Sequence, residues 1–495
     1  MLTRFQVALT LTVTVYLAAS SAIAEEARTT RLAASRVEIS KDGRVRVELP
    51  DAAGETEGAS FRYNGVPYLT TSDWNNNLRR QVSAVLVADV NNDGKKDLLV
   101  GCYTSQSFPP YPEWTNLIYY NIGGTLEATP SWISGSQVHT SDLAVGDINL
   151  DGYPDVFSAD GGSTFSPSRI YFGSATGPST TAGWIATPSP STWTTGVALF
   201  DFDHDGDLDA FTSNQGVSPN PYRRMLGYRN NGGVLETSPF WQSDEEAISS
   251  GPSFGDLDGD GWEDLAVGKW VNFQTAVYKN VNGVLQTVPV WQSGYTGGDR
   301  GTAWADVDGD NDLDLAVGRS PMILYTNTGG VLNQTWTAAP PFSTQPQDMK
   351  FVDVDRDGDQ DLAEFQFSTG RAHIYLNTNG VLSNTPAYTY DDTSTGNAIA
   401  FGDINGDGWD DMVVGINGDI SVRVFFARIP VILGDMNCDG LVNLDDVDPF
   451  VLAQLDPAAY AAAYPFCSTS RGDLNTDTLL NGGDVQGFSN LLTAP

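Results

Sequence analysis

From about residue 60 to residue 430 the chain alternates short apolar runs with interruptions rich in Asp, Asn and Gly. Val82 to Ala88 and Asp97-Leu98-Leu99-Val100-Gly101 flank one interruption, and Leu117-Ile118-Tyr119-Tyr120 precedes an Asn121-Ile122-Gly123-Gly124 turn. Runs this short, bounded by turn residues, predict strands. A fourth run, often ending near a Trp, closes the unit, and the unit begins again. Past Pro430 the period changes: Val447, Phe450, Val451 and Leu455 fall at helical spacing, as do Val485, Phe488 and Leu492. At the start of the chain, Arg4 precedes an apolar run from Phe5 to Ala19, and Ala22-Ile23-Ala24 precedes Glu25. We read residues 1–24 as a secretory signal cleaved after Ala24, and 25–59 as an N-terminal segment or linker. The signal's apolar core is shorter than a membrane span, and no later stretch approaches about 20 apolar residues. The protein is therefore expected to be secreted or at the cell surface, with no transmembrane segment.

The acidic interruptions are copies of one pattern, Asp-x-Asp/Asn-x-Asp-Gly/Asn-x-x-Asp, starting at Asp89, Asp147, Asp201, Asp256, Asp306, Asp353 and Asp403. Four strands per repeat of roughly 50 residues is the size of a propeller blade. Seven blades make a closed ring without exposed sheet edges. The last repeat lacks a fourth strand, whereas Asn64 to Trp74 is similar to the fourth-strand segments Asn231–Trp241 and Asn282–Trp291. That stretch is expected to complete the seventh blade and clasp the ends of the ring. Trp132, Trp241 and Trp291 repeat at one position of the unit and are expected to pack between blades.

Calcium takes about 6 to 8 oxygens, and a loop with carboxylates or amides at positions 1, 3, 5 and 9 plus the carbonyl of position 7 can wrap one ion. The expected ligands are Asp89, Asn91, Asp93 and Asp97 in the first loop and Asp147, Asn149, Asp151 and Asp155 in the second. They are Asp201, Asp203, Asp205 and Asp209 in the third, Asp256, Asp258, Asp260 and Asp264 in the fourth, and Asp306, Asp308, Asp310 and Asp314 in the fifth. The sixth offers Asp353, Asp355, Asp357 and Asp361, and the seventh Asp403, Asn405, Asp407 and Asp411. Position 6 needs a sharp turn, supplied by Gly or, in the fifth loop, by Asn311. Asp and Gly are also ordinary turn formers, but seven copies at the same positions exceed what turns require. With these residues in view, the chain resembles the FG-GAP or VCBS repeats of integrin-α-like β-propellers over roughly residues 60–430. The resemblance implies a seven-bladed propeller with calcium in hairpin loops, serving adhesion or ligand binding outside the cell.

Residues 431–495 carry two longer loops, each leading into a helix. Their expected ligands are Asp435, Asn437, Asp439, Asn443 and Asp446, then Asp473, Asn475, Asp477, Asn481 and Asp484. This pair resembles a type I dockerin, a small α-helical calcium domain, which implies attachment through a cohesin-like or other surface partner. Two departures stand out: Thr478 replaces the turn glycine, and Leu444-Asp445 and Gly482-Gly483 replace the hydroxyl pair of a cohesin binder. Cys438 and Cys467 are close enough in sequence to pair, leaving Cys102 as a buried odd thiol. Arg471-Gly472-Asp473 spells an integrin-recognition tripeptide, but Asp473 is the first ligand of a calcium loop.

The 26 Lys and Arg against 62 Asp and Glu give a formal charge of −36, which excludes nucleic-acid binding driven by a basic surface. Up to nine calcium ions would offset half of that charge. Loops that vary between repeats fall on the face opposite the calcium hairpins, where Tyr103, Phe108, Tyr111, Trp114, Tyr222, Arg223, Arg224, Trp270 and Phe273 are candidates to border a glycan or protein ligand. The runner-up is a polysaccharide lyase or hydrolase; of three histidines, only His139 is placed to act as a base, since His204 sits in a calcium loop and His373 in a strand. A third reading is a structural envelope or matrix component. The expectation taken forward is a mainly β, seven-bladed β-propeller with calcium-binding hairpin loops plus a dockerin-like domain, acting as a non-enzymatic extracellular binding protein.

Overall fold

A computed structural model describes residues 65–492, apart from 104–113, 162–165, 188–192, 216–222, 271–272, 340–344, 367–368, 393 and 429–430, together with four strand segments nearer the N-terminus. Most of the signal-peptide segment 1–24 and of residues 25–59 lies outside the described residues. The chain divides into two compact units, Asn64–Arg428 and a second formed by Met1–Tyr63 with Ile429–Pro495.

The larger unit is a β-propeller. Five four-stranded antiparallel sheets follow one another with strands in sequence order, as in His139–Gly146, Asp155–Gly161, Arg169–Tyr171 and Trp184–Ile185. An eight-stranded sheet holds both ends of the unit. Within it Trp74–Asn75 pairs with Val422–Phe425, setting Asn75 opposite Arg423 and Trp74 opposite Val424, so the early strand lies where the last repeat lacks one. Tyr68 O–H donates to the Asp410 carbonyl at 2.6 Å, and Arg428 N donates to the Pro67 carbonyl at 2.8 Å.

The second strand of each repeat is buried over nearly its whole length, as in Asp97–Cys102 and Asp264–Lys269. Neighbouring sheets cover both of its faces, which is why it reads as an unbroken apolar run. Apolar clusters bridge successive repeats: Leu99, Ile118 and Trp132 pack with Leu143, Val156 and Tyr171, and Val82 and Val100 pack with Ala398 and Val413.

An edge-to-face aromatic pair recurs at these junctions. Trp132 meets Tyr171 at 5.4 Å, Trp184 meets Tyr228 at 5.7 Å, Trp241 meets Tyr278 at 5.7 Å, Trp291 meets Tyr325 at 4.9 Å and Trp336 meets Tyr375 at 5.4 Å. Trp74 meets Tyr119 at 5.3 Å, and Tyr390 meets Phe425 at 5.0 Å. A buried amide adds a second clasp. Asn230, Asn280, Asn327 and Asn377 donate Nδ2 to the carbonyls of Ile148, Phe202, Leu257 and Val307, each in the loop of the preceding repeat. Asn121 does the same to Ile404, joining the first repeat to the last.

In the smaller unit, Leu11–Val13, Thr30–Leu32, Ser35–Ile39 and Val45–Glu48 form a four-stranded sheet. Its C-terminal part has the expected helices at Val447–Leu455 and Val485–Leu492, and a further helix at Pro457–Ala463. Phe450 and Phe488 stack at 4.1 Å, so the two copies share one core with Met436, Ala453 and Tyr460. Cys438 and Cys467 form a disulfide, and Cys102 is free and buried.

The amide clasp predicts a measurable cost. Asn327→Ala leaves the Leu257 carbonyl without its donor and should destabilise the protein by about 1–3 kcal/mol in denaturant melts. The exposed Asn333→Ala should stay within about 0.5 kcal/mol of wild type.

Candidate metal loops and the opposite face

Each propeller loop is organised by its first and ninth residues. The first Asp accepts backbone N–H bonds from positions 5 and 6: Asp89 from Asp93 and Gly94 at 3.1 and 2.8 Å, Asp353 from Asp357 and Gly358 at 3.1 and 3.0 Å. The ninth Asp is fully buried at the foot of the second strand. In every loop but the third, one of its oxygens accepts the N–H of position 2, as Asp97 does from Val90 at 3.1 Å. The other accepts the N–H that follows the third strand: Asn121 to Asp97, Gly173 to Asp155, Asn230 to Asp209, Asn280 to Asp264, Asn327 to Asp314, Asn377 to Asp361 and Ala427 to Asp411, at 2.7–2.9 Å. One carboxylate thus ties the loop, the second strand and the third strand together.

The expected turn at position 6 is present, with positive φ at Gly94, Gly152 and Asn311 among others. Position 4 is also left-handed, with φ near 57–59° at Asn92, Leu150, His204 and Arg356. For Leu150 and Arg356 this is a disfavoured backbone, held by the bonds on either side. The sequence carries a partial sign of it, since position 4 is Gly in three loops, Gly259, Gly309 and Gly406, all with positive φ.

In four loops three carboxylates converge. Asp201, Asp203 and Asp209; Asp256, Asp258 and Asp260; Asp306, Asp308 and Asp314; and Asp353, Asp355 and Asp357 each offer oxygens within 4.8 Å of one another. Where position 3 is Asn, its amide donates to the position-5 carboxylate, as Asn149 does to Asp151 at 3.0 Å. Several buried carboxylate oxygens in these loops have no hydrogen-bond partner: Oδ1 of Asp203 and Asp207, Oδ2 of Asp209, and both oxygens of Asp355. Burial pushes Asp209 and Asp355 up to about 7 and Asp361 up to about 8, with neighbouring carboxylates adding to the shift. Clustered, dehydrated, oxygen-only donors with unused lone pairs fit a hard divalent cation such as calcium.

In the C-terminal unit the twelfth residue takes over the organising role. Asp446 accepts from Met436, Asn437 and Asn443, and Asp484 from Leu474, Asn475 and Asn481. Thr478 sits at φ 71°, a strained conformation for a β-branched residue. Asp435 departs from the other loops: it is buried and pairs with buried Arg471 at 3.0 Å, although its Oδ1 has no partner. The Arg-Gly-Asp tripeptide is accordingly not displayed, since Arg471 and Gly472 are both buried.

The third hairpins share a face with the metal loops. Asp207 accepts from Gly232 N at 2.6 Å, and a Cβ added at Gly330, whose φ is 87°, would stand 2.9 Å from that of Asp258. At the other end of the strands, Tyr103 and Trp114 meet His139 at 5.2 and 4.6 Å, and Trp193 stacks on Tyr103 at 6.2 Å. His139 opens a first strand, is 4% exposed, and has no hydrogen-bond partner on either ring nitrogen. Burial holds its pKa below the usual histidine value. The imidazole is thus packed among aromatic rings.

The remaining described candidates make other contacts. Arg224 donates to the carbonyls of Ser243 and Asp244 and pairs with Glu246, bracing its own repeat. Trp270 lies under the Arg300 guanidinium at 3.8 Å and donates to Ser250. Arg223 and Phe273 are half-buried, and Phe108, Tyr111 and Tyr222 lie outside the described residues. Trp193 and Arg300 were missed by the sequence reading; each lies just before a first strand, where no repeat motif marks it. Of the other histidines, His204 stacks on Trp262 at 4.5 Å and contacts Glu263, and His373 bonds Glu364 at 2.9 Å.

Residues 89–158, 147–212 and 365–414 match the model of an FG-GAP-like repeat. These matched repeats are FG-GAP-like. Each match takes in a strand that enters or leaves an acidic loop. No curated protein is detectably similar to the chain. Among solved structures, a crystal structure of BBS1N in complex with ARL6DN, soaked with lead, covers 74% of this chain and 98% of that one at 11% identity and a TM-score of 0.49. A mercury-soaked counterpart aligns over the same shares at 12% identity and a TM-score of 0.49. Among the described residues no helix is long and apolar enough to cross a membrane.

The raised carboxyls set a pH dependence for the metal-free protein. Folded loop carboxyls hold protons up to about pH 7–8, whereas unfolded ones release them near 4, so the folded state binds more protons between these limits. In chelator, stability should therefore fall as pH rises from 5 to 8, and calcium added at pH 8 should restore it. Thermal melts across this range check both effects.

Proposed function

We propose that this chain is a secreted, non-enzymatic binding protein built on a closed ring of seven blades, with calcium stabilising one face and an extracellular carbohydrate or protein ligand held on the other. The observation that carries the reading is the set of buried, unpartnered carboxylate oxygens inside repeated acidic loops. The residues at positions 1, 3, 5 and 9, with the carbonyl of position 7, would hold each ion. Calcium there supplies positive charge that neutralises the buried carboxylates.

For seven blades, the support lies in how the eight-stranded sheet is joined. Among the described residues, its two halves share only two ladder pairs, Asn417 opposite Gln81 and Gly418 opposite Arg80. Counted as two blades, with Trp74–Asn75 as the outer strand of the last, the sheet gives one aromatic pair at every junction of a sevenfold ring. The Asn121 bond to Ile404 is then the clasp at the closing junction.

The C-terminal unit is proposed as a dockerin-like module that attaches the protein to a surface or cohesin-like partner. Its support is the duplicated loop and helix, with Asp446 and Asp484 in matching roles. Export is supported by the N-terminal sequence and by the Cys438–Cys467 disulfide, which suits an oxidising compartment. Binding is proposed over lyase or hydrolase chemistry because His139 is enclosed and has no carboxylate to orient it.

Calorimetric calcium titration of the mature protein, run alongside melts in calcium and in chelator, tests the proposal. Several ions per chain and a large loss of stability in chelator are expected; no binding with an unchanged melt would overturn it. On glycan and peptide arrays, Tyr103→Ala should weaken ligand binding while leaving the calcium-dependent melt in place.

A further inference from the structure

The acidic loops differ in what faces them from the third strand. The residue between the conserved-in-repeat aromatic and the following position is Tyr120, Phe172, Arg229, Lys279, Thr326, Leu376 or Phe426 in the first to seventh repeats. Five of these carry no positive charge. Arg229 touches Asp203 at 3.3 Å, but its guanidinium lies over the Phe240 ring at 4.6 Å and leaves Asp203 Oδ1, Asp207 Oδ1 and Asp209 Oδ2 without partners.

Lys279 behaves differently. Its Nζ hydrogen-bonds the Asp258 carboxylate, lies 2.9 Å from Asp260 Oδ2 and 3.8 Å from Asp264 Oδ2, and the side chain is only 15% exposed. These carboxylates are positions 3, 5 and 9 of the fourth loop, the set expected to wrap an ion. Asp258 and Asp260 also belong to one of the four tight carboxylate clusters. Among the described residues, the third and sixth loops keep buried carboxylate oxygens without a partner, and the fourth keeps none, a property it shares with the first, second, fifth and seventh; what sets it apart is the ammonium seated on three of its carboxylates.

We propose that Lys279 is a tethered cation that takes the place of calcium in the fourth loop. This rests on the calcium reading of the other loops. An ammonium has three donors and one charge, enough to bond several carboxylates, and its tether keeps it at the site at any calcium concentration. Calcium entering the loop would have to displace a lysine already bonded to its ligands and would then sit beside a like charge. The wild-type chain should therefore bind one calcium fewer than it has acidic loops, and the fourth loop should stay ordered in chelator.

The test compares bound calcium per chain, measured by elemental analysis after equilibrium dialysis, in wild type, Lys279→Met and Thr326→Lys. Tyr325-Thr326-Asn327 matches Tyr278-Lys279-Asn280, with Leu315 opposite Tyr325 as Leu265 is opposite Tyr278, so Thr326→Lys places an ammonium at the fifth loop. Lys279→Met should gain one calcium and melt lower than wild type in chelator; Thr326→Lys should lose one. Calcium binding in wild type with an unchanged count in both variants overturns the tethered-cation proposal and leaves the calcium reading standing. No calcium in any of the three proteins overturns both.

Discussion

The propeller depends on one buried carboxylate per repeat. The ninth Asp of each acidic loop has no exposure to solvent, and in every loop but the third it spends both oxygens on backbone N–H groups, one inside the loop and one after the third strand. An unpaired carboxylate would be costly to bury, but these are bonded at both ends, and each bond fixes a different strand. The second strand is placed by the residue itself, the loop by the N–H of position 2, and the third strand by the N–H beyond it. Substituting this Asp would release three elements at once, which explains why the rest of the loop can vary in sequence while its fold repeats.

The same region links one repeat to the next. Where the residue after the third strand is Asn, its backbone N–H bonds the Asp of its own repeat while its side-chain amide bonds the loop before it. The repeat's own order and its junction thus share a residue. Aromatic pairs do the equivalent work further out, each fourth-strand ring meeting a ring on the next third strand. The first repeat, which has no preceding fourth strand in chain order, receives Trp74 instead. A propeller assembled this way gathers its acidic loops on one face.

Much of this was legible in the residues. The acidic period, the four strands per unit, the docking of the Asn64–Trp74 stretch on the last repeat, the two C-terminal helices and the Cys438–Cys467 pair all followed from spacing and composition. What stayed hidden had little signature of its own. Left-handed Leu150 and Arg356 look like ordinary loop residues, since the strain comes from bonds made by their neighbours. The Tyr-x-Asn recurrence at Asn121, Asn230, Asn280, Asn327 and Asn377 was in plain view but reads as turn chemistry, because the carbonyl it reaches lies about 70 to 280 residues away. Arg471 facing Asp435, and the packing of His139 among Tyr103, Trp114 and Trp193, likewise join distant segments. The opposite face was harder to read, since aromatic residues mark both ligand surfaces and loop cores.

The central claim is that calcium holds the acidic loops, and through their buried Asp residues the strands of the ring. Amide hydrogen exchange with and without calcium measures this most directly, because the N–H groups of Val90, Ile148, Val307 and Val354 are bonded to those Asp side chains. The account predicts that their protection falls by about tenfold or more when calcium is withdrawn, together with that of Asn121, Asn327 and Asn377 beyond the third strands. Protection unchanged in chelator at these amides would contradict it.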